Sequence, residues 1–108
     1  MTDAANATTL VAEAKLREQL ERLLGALGVP AEQAVIVADN LVEADLRGVD
    51  SHGSHLMALY HGRVRSGHLR PVTTVTTVDD QGSTVRLDGG IGFGQVAGVA
   101  AVDLAVER

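Results

Sequence analysis

Apolar residues recur at steps of three and four along the first part of the chain, which is the period of an amphipathic helix. The first such run ends at Gly28, and Pro30 follows, where its missing N–H costs nothing at a helix start. Two further runs end at Gly48 and Gly67, so the pattern predicts three helices. The apolar faces expected to be buried are Leu16, Leu20, Leu23, Leu24 and Leu27, then Val35, Ala38, Leu41, Val42 and Leu46, then Leu56, Leu59, Tyr60 and Val64.

Beyond Pro71 the pattern changes to the alternation that strands show. Segments 72–78 and 84–87 are rich in Val and Thr, and the sequence DDQGS between them is typical of a hairpin turn. From Gln95, small and apolar residues at helical spacing predict a last helix. No stop signal precedes Arg108, so we expect the sequence to be the N-terminal part of a longer protein.

Composition and charge narrow the possible functions. A net charge of −5 and an aromatic content of 2% argue against nucleic-acid binding, which needs a positive surface and usually stacking platforms. The sequence has no cysteine, so disulfides and thiolate ligands are excluded. Because we find neither a secretory leader nor an apolar run long enough for a membrane span, we expect a soluble cytoplasmic protein without a membrane partner.

The segment ADLRGVDSHGSHLMALYHGR is the first candidate site. We predict that Asp50 or Ser51 caps the third helix and that His52 follows at its N-terminus, where the helix dipole favours a neutral imidazole. Such a histidine suits proton transfer, with the Ser51 hydroxyl beside it and Gly53 allowing close approach of a ligand. On residue types alone, a surface turn that contains histidine by chance is favoured over a functional site.

The other polar residues give weaker indications. A metal-binding domain is one possible interpretation of the histidines, but their spacing matches no familiar metal motif, and we expect no metal site. Along the second helix, Asp39, Glu43 and Asp45 are expected to form the solvated face. The four histidines are His52, His55, His61 and His68.

The glycine-rich segment GGIGFGQVAG also has two interpretations. Gly92, Gly94 and Ala97 have the order G-x-G-x-x-A, which is the phosphate-binding fingerprint of Rossmann folds. The strand before it is expected to belong to a hairpin, whereas the fingerprint follows a buried parallel strand. We therefore favour a glycine-rich bend that leads into a closely packed helix.

Four segments of the sequence together resemble the N-terminal part of the type-2 malate/L-lactate dehydrogenase family. They are LRGVDSHG, GRVRSGHLRP, LDGGIGFGQVAG and AVDLAVER. The resemblance covers about residues 10–108. The family includes ureidoglycolate-, sulfolactate- and diketogulonate-type enzymes. It implies an α/β fold with a helical N-terminal region, residues 1–70, followed by the start of a non-Rossmann NAD(P)-binding sheet domain, residues 71–108. It also implies a homodimer in the full-length form, with the active site in a cleft between domains.

The resemblance further implies hydride transfer between NAD or NADP and a 2-hydroxy or 2-keto acid. Ser51 and His52 match the pair that faces nicotinamide and substrate in this family. His52 is therefore the expected catalytic residue, Ser51 and His52 the cofactor-binding residues, and Gly53 and His55 the further substrate-binding residues. Family members commonly have an arginine four residues after this histidine, whereas this sequence has Leu56, so a two-pronged carboxylate donor is missing and the substrate stays open.

A function of another class also stays open, namely a non-catalytic helical interaction module. Under the dehydrogenase interpretation, we expect the 108 residues alone to be inactive, because the rest of the nicotinamide site lies outside them.

Overall fold

The computed structural model describes residues 9–108. A short 3-10 turn, Asp50–His52, separates the second and third helices, and the chain order of three helices, a hairpin and a helix agrees with the prediction. The helices and strands of the described residues are α1 (Glu13–Ala26), α2 (Ala31–Leu46), α3 (Leu56–Ser66), β1 (Thr76–Asp80), β2 (Val85–Asp88) and α4 (Gly94–Glu107).

Helices α1 and α2 pack against each other and contribute most of the apolar core. The turn between them is sharp because Gly28 has a φ of 98°, a conformation that glycine adopts without strain. The Val29 N–H donates to the Leu24 carbonyl at 3.0 Å, which satisfies a carbonyl at the end of α1. The buried core consists of Leu20, Leu24, Val29, Ala34, Val37, Ala38, Leu41, Val42, Leu69, Phe93 and Val96.

The predicted buried face of α2 is partly wrong. Val35 is 51% exposed and Leu46 is 58% exposed, whereas Ala34 and Val37 are buried. One residue along a helix turns the side chain by about 100°, so a buried face centred on Ala34 leaves Val35 at its solvent-exposed edge. Two other leucines that we expected to be buried are also exposed, Leu23 on α1 and Leu59 on α3.

The predicted hairpin is confirmed. Strands β1 and β2 pair antiparallel, with Thr76 opposite Asp88 and Asp80 opposite Val85. Because β2 lies in a two-stranded antiparallel sheet, the buried parallel strand that a Rossmann fingerprint requires is not present before Gly92. The first strand begins at Thr76 rather than Val72, so its predicted start is wrong.

Thr73 explains why the strand starts late, since it bonds to two other parts of the molecule instead of to a strand. The Gln33 side-chain amide donates to the Thr73 carbonyl at 2.8 Å, and the Thr73 N–H donates to Gln33 Oε1 at 2.9 Å. The Phe93 N–H donates to Thr73 Oγ1 at 2.8 Å. A Cβ on Gly92 would lie 2.6 Å from the same oxygen, so this glycine serves close packing, as the bend interpretation predicts.

Candidate functional site

The candidate site lies in the turn that follows α2. The chain reverses at Gly48, where φ is 74°, and the Val49 N–H donates to the Ala44 carbonyl at 2.9 Å. The next three residues form the 3-10 turn, in which the His52 N–H donates to the Val49 carbonyl at 3.0 Å. These bonds place Ser51 and His52 at an exposed position between two helices.

The predicted capping of α3 is wrong. The helix starts at Leu56, its N-cap residue is His55, and the helix has no side-chain cap bond. The residues that were expected to cap α3 lie in the 3-10 turn Asp50–His52 instead, and the Leu56 N–H donates to the Gly53 carbonyl at 3.0 Å where the helix begins. Asp50 and Ser51 therefore lie one turn before the helix, and it is His55 that adjoins the positive end of the α3 dipole.

Ser51 and His52 form a hydrogen-bonded pair. Ser51 Oγ lies 2.8 Å from His52 Nδ1, and both residues are exposed. Which partner donates depends on the tautomer of the imidazole. The bond restrains the ring and leaves Nε2 as the nitrogen directed to other partners.

Gly53 has surroundings that the sequence did not reveal, whereas Leu56 lies on the apolar face of α3 as predicted. Gly53 is buried, and a Cβ on it would lie 2.6 Å from Cγ of Asp45. Leu56 is half-buried and packs against the core, so its side chain is part of the packing between α3 and the rest of the molecule. His55 is exposed beside the turn.

The remaining histidines lie apart from the turn in sequence. His61 is exposed on α3, and His68 Nδ1 lies 2.7 Å from the Ser66 hydroxyl. Among residues 9–108, no three side chains of His, Asp or Glu are grouped so that they could hold a metal ion.

Sequence reasoning missed Asp45. It was expected on the solvated face of α2, but its Oδ2 accepts a hydrogen bond from the Ser54 N–H at 3.2 Å. Two signals pointed to this role: an acidic residue in the last turn of a helix is disfavoured by the dipole, and a glycine eight residues later leaves space for it.

The sequence model of the malate/L-lactate dehydrogenase family matches residues 11–108. The chain belongs to the malate/L-lactate dehydrogenase family. This confirms the resemblance that the motifs LRGVDSHG and LDGGIGFGQVAG indicate. In family terms, the exposed pair of Ser51 and His52 is the S-H of the R-G-x-x-S-H-G motif.

Two curated members of the malate/L-lactate dehydrogenase family show the same similarity. The chain is 44% identical over 87 residues to the malate dehydrogenase of Pyrococcus abyssi, which covers 81% of this chain and 24% of that protein. It is 37% identical over 86 residues to the L-sulfolactate dehydrogenase of Methanocaldococcus jannaschii, covering 80% of this chain and 25% of that protein. The chain thus spans about a quarter of the length of these relatives.

A solved structure agrees with the architecture. The malate dehydrogenase from Pyrococcus horikoshii superposes with a TM-score of 0.87 and 39% sequence identity, over 92% of this chain and 28% of that one. The expected fold class, a helical region followed by the start of a sheet domain, is therefore confirmed for this dehydrogenase family member.

Proposed function

We propose that this chain supplies part of the active site of an NAD(P)-dependent dehydrogenase that interconverts a 2-hydroxy acid and a 2-keto acid. The observation that carries the proposal is the hydrogen-bonded pair of Ser51 and His52, exposed on a turn that is hydrogen-bonded to the end of α2 on both sides. The relatives named malate and L-sulfolactate dehydrogenase support the same class of substrate, a small hydroxy acid.

His52 is the proposed acid/base group. A hydride leaves or reaches the carbon that carries the substrate oxygen, so a proton must leave or reach that oxygen in the same reaction. With Nδ1 bonded to Ser51, the Nε2 atom of His52 is the nitrogen that exchanges this proton. The Ser51 hydroxyl orients the ring and selects its tautomer.

The two residues also fit a nicotinamide cofactor. Both side chains are exposed and polar, so a flat amide-bearing ring would find hydrogen-bonding groups at this turn. When bound, NAD or NADP supplies the hydride chemistry, and the protein contributes position and proton transfer. We propose Ser51 and His52 as the residues of this chain that contact it.

The substrate carboxylate needs a donor other than residue 56. The alkyl side chain of Leu56 has no hydrogen-bond donor for an anion, and it packs against the core. Two exposed groups are candidates for this donor: His55, which precedes Leu56 in the chain, and Arg47, which already pairs with Glu43 at 2.8 Å. We propose His55 as the substrate-binding residue among these. Gly53 was also expected to bind the substrate, and that role stays a prediction. The side of Gly53 on which a Cβ would lie is occupied by the carboxylate of Asp45.

The remaining parts of the proposal concern the whole protein. By the family resemblance, we propose a homodimer with small-molecule substrates. From the composition and charge described above, we also propose a cytoplasmic protein that binds neither nucleic acid nor membrane. We also propose a domain boundary near residue 70. No helix in residues 9–108 combines the length and the apolar character needed to cross a membrane.

The test is His52→Ala in the full-length protein. A positioned acid/base group contributes about 10²- to 10⁴-fold, so we expect kcat/KM to fall by about that factor, with a much smaller loss of cofactor affinity from the contact that His52 makes. NAD(P)H absorbance with a panel of 2-keto and 2-hydroxy acids measures the rate, and fluorescence titration measures cofactor binding.

The matched control is His61→Ala, which removes another exposed histidine from α3 and should leave kcat/KM within about twofold. A folded His52→Ala enzyme with near-normal kcat/KM would contradict the proposed role of His52. The wild-type protein failing to turn over any hydroxy or keto acid with either cofactor would contradict the proposed function as a whole.

A further inference from the structure

Asp45 occupies a position that local helix energetics disfavour. It is the second-last residue of α2, in a last turn that contains no basic residue. Aspartate is a poor helix former, and its negative charge repels the negative end of the helix dipole. A residue with two local costs at one position is explained by a contact elsewhere in the molecule.

That contact is with the turn after the Ser51–His52 pair. Asp45 Oδ2 accepts a hydrogen bond from the Ser54 N–H at 3.2 Å. The carboxylate also lies over Gly53, so that a Cβ there would come within 2.6 Å of Asp45 Cγ. Gly53 has φ of −95°, which any residue adopts, so its backbone does not require glycine and the carboxylate does.

The other end of the turn is fixed by the neighbouring residue of α2. The Ala44 carbonyl accepts a hydrogen bond from the Val49 N–H at 2.9 Å. Two consecutive residues at the end of α2 therefore hold both ends of the segment that contains Ser51 and His52. One anchor is a backbone carbonyl that any sequence provides, whereas the other depends on the side chain of Asp45.

We propose that Asp45 is a positioning residue, which holds the Ser51–His52 turn in the geometry that the reaction needs. The inference rests on the proposed function of that pair. A displacement of about 1 Å in a reacting group reduces a rate by about 100-fold, so loss of one anchor of an exposed turn has a large kinetic effect.

The first experiment compares Asp45→Ala, Asp45→Asn and Glu43→Ala in the full-length enzyme. Asparagine keeps an oxygen that accepts from the Ser54 N–H, whereas alanine removes it. We expect Asp45→Ala to lower kcat by about 10- to 100-fold with a smaller change in KM, and Asp45→Asn to stay within about threefold of wild type.

Glu43→Ala is the matched control, because it removes a carboxylate from the same end of α2 that pairs only with exposed Arg47. Its kcat/KM should equal that of wild type within about twofold, since exposed ion pairs contribute little. A folded Asp45→Ala enzyme with the kinetics of Glu43→Ala overturns the proposal. So does an Asp45→Asn enzyme as slow as Asp45→Ala, because the acceptor oxygen is then not what matters.

A second substitution tests the same contact from the Gly53 side, and a folded Gly53→Ala enzyme with the kcat of wild type overturns the proposal whether or not Asp45→Ala folds. Gly53→Ala leaves the carboxylate in place but inserts a Cβ into its position, so we expect a similar loss of kcat. In the double variant Asp45→Ala/Gly53→Ala the new methyl group meets no carboxylate, so the loss should be no greater than with Gly53→Ala alone. Additive losses mean that the two residues do not act through one contact and overturn the proposal.

Hydrogen–deuterium exchange separates this inference from the proposed function. Amides of residues 50–55 should exchange faster in Asp45→Ala than in wild type, Asp45→Asn or Glu43→Ala. This exchange pattern in a protein without any dehydrogenase activity supports the anchoring of the turn and contradicts the proposed function. An active wild type whose Asp45→Ala variant shows unchanged exchange and unchanged kcat overturns this inference alone.

Discussion

Helices α2 and α4 differ in a way that their sequences do not suggest. Five residues of α2 are buried, although the helix carries several charges, whereas α4 is more apolar and buries only Val96. The difference arises because α1 packs along α2, whereas α4 makes fewer contacts with α2 and contributes only Val96 to the core. The apolar side chains of a helix are therefore buried only where another element of the described residues packs against them.

The largest effect expected from this comparison is at Leu41. Leu41→Ala removes a side chain with 0% exposure from the α1–α2 core and should lower the free energy of unfolding by about 2–5 kcal/mol. Val102→Ala on α4, where the side chain is 62% exposed, should change it by less than about 0.5 kcal/mol. Urea denaturation of the 108-residue chain, followed by circular dichroism, measures both. Equal losses of unfolding free energy in Leu41→Ala and Val102→Ala would show that α4 is buried in solution. They would contradict the contrast drawn between α2 and α4.

A smaller effect is expected where Thr73 links α2 to the segment that leads into α4. Gly92→Ala places a Cβ 2.6 Å from Thr73 Oγ1, whose residue is held in place by Gln33 of α2. Overpacking of this kind costs about 1–3 kcal/mol, so the free energy of unfolding should fall by that amount in the same urea experiment.

Gly98→Ala is the matched control for that substitution. Its Cβ would have no neighbour within 4 Å, and alanine is a better helix former, so stability should rise by about 0.5–1 kcal/mol. If Gly92→Ala is as stable as wild type, Thr73 moves to make room for the new Cβ. The contact between Gly92 and Thr73 is then not rigid.

Local signals predicted the C-terminal ends of α1, α2 and α3 well, although not the start of α3. Glycines at positions 28, 48 and 67 all have positive φ, the conformation that their place after an apolar run indicates. The hairpin was predictable for the same reason, since turn residues and alternating strands are local features. The motif SHG helped to indicate the family, which the family model confirms, but its local conformation, a 3-10 turn before α3, was not predicted.

Features that depend on distant partners were not predictable from the pattern. The pattern favoured Val35 over Ala34, because large apolar residues dominate a periodicity, whereas packing selected the small residue. The carboxylate of Asp45 turns back to Ser54, nine residues later, and Gln33 bonds to Thr73, forty residues later. Such contacts follow from tertiary structure, and a single sequence contains no periodicity that indicates them.

The smallest effect concerns an exposed contact between the hairpin and the end of α4. The Arg108 guanidinium bonds to Asp80 at 2.7 Å, and together with the Gly82 N–H it lowers the pKa of Asp80 from 3.8 to about 2. A lowered pKa in the folded state means that the contact stabilises above pH 4 and is lost as the pH falls from about 4 to about 2. Because the pair is exposed, the change in stability should be slight.

Asp80→Asn should remove this dependence, and Asp79→Asn, which alters a carboxylate bonded to Gln81, should leave it in place. Carboxyl chemical shifts in an NMR titration measure the pKa of Asp80 directly, and 1 M salt should raise it toward its ordinary value, because exposed charges are screened. A titration midpoint near 3.8 at low salt would show that Arg108 does not bind Asp80 at the hairpin turn. The C-terminal end of α4 would then have one contact fewer, and the contrast with the closely packed α1 and α2 would be larger.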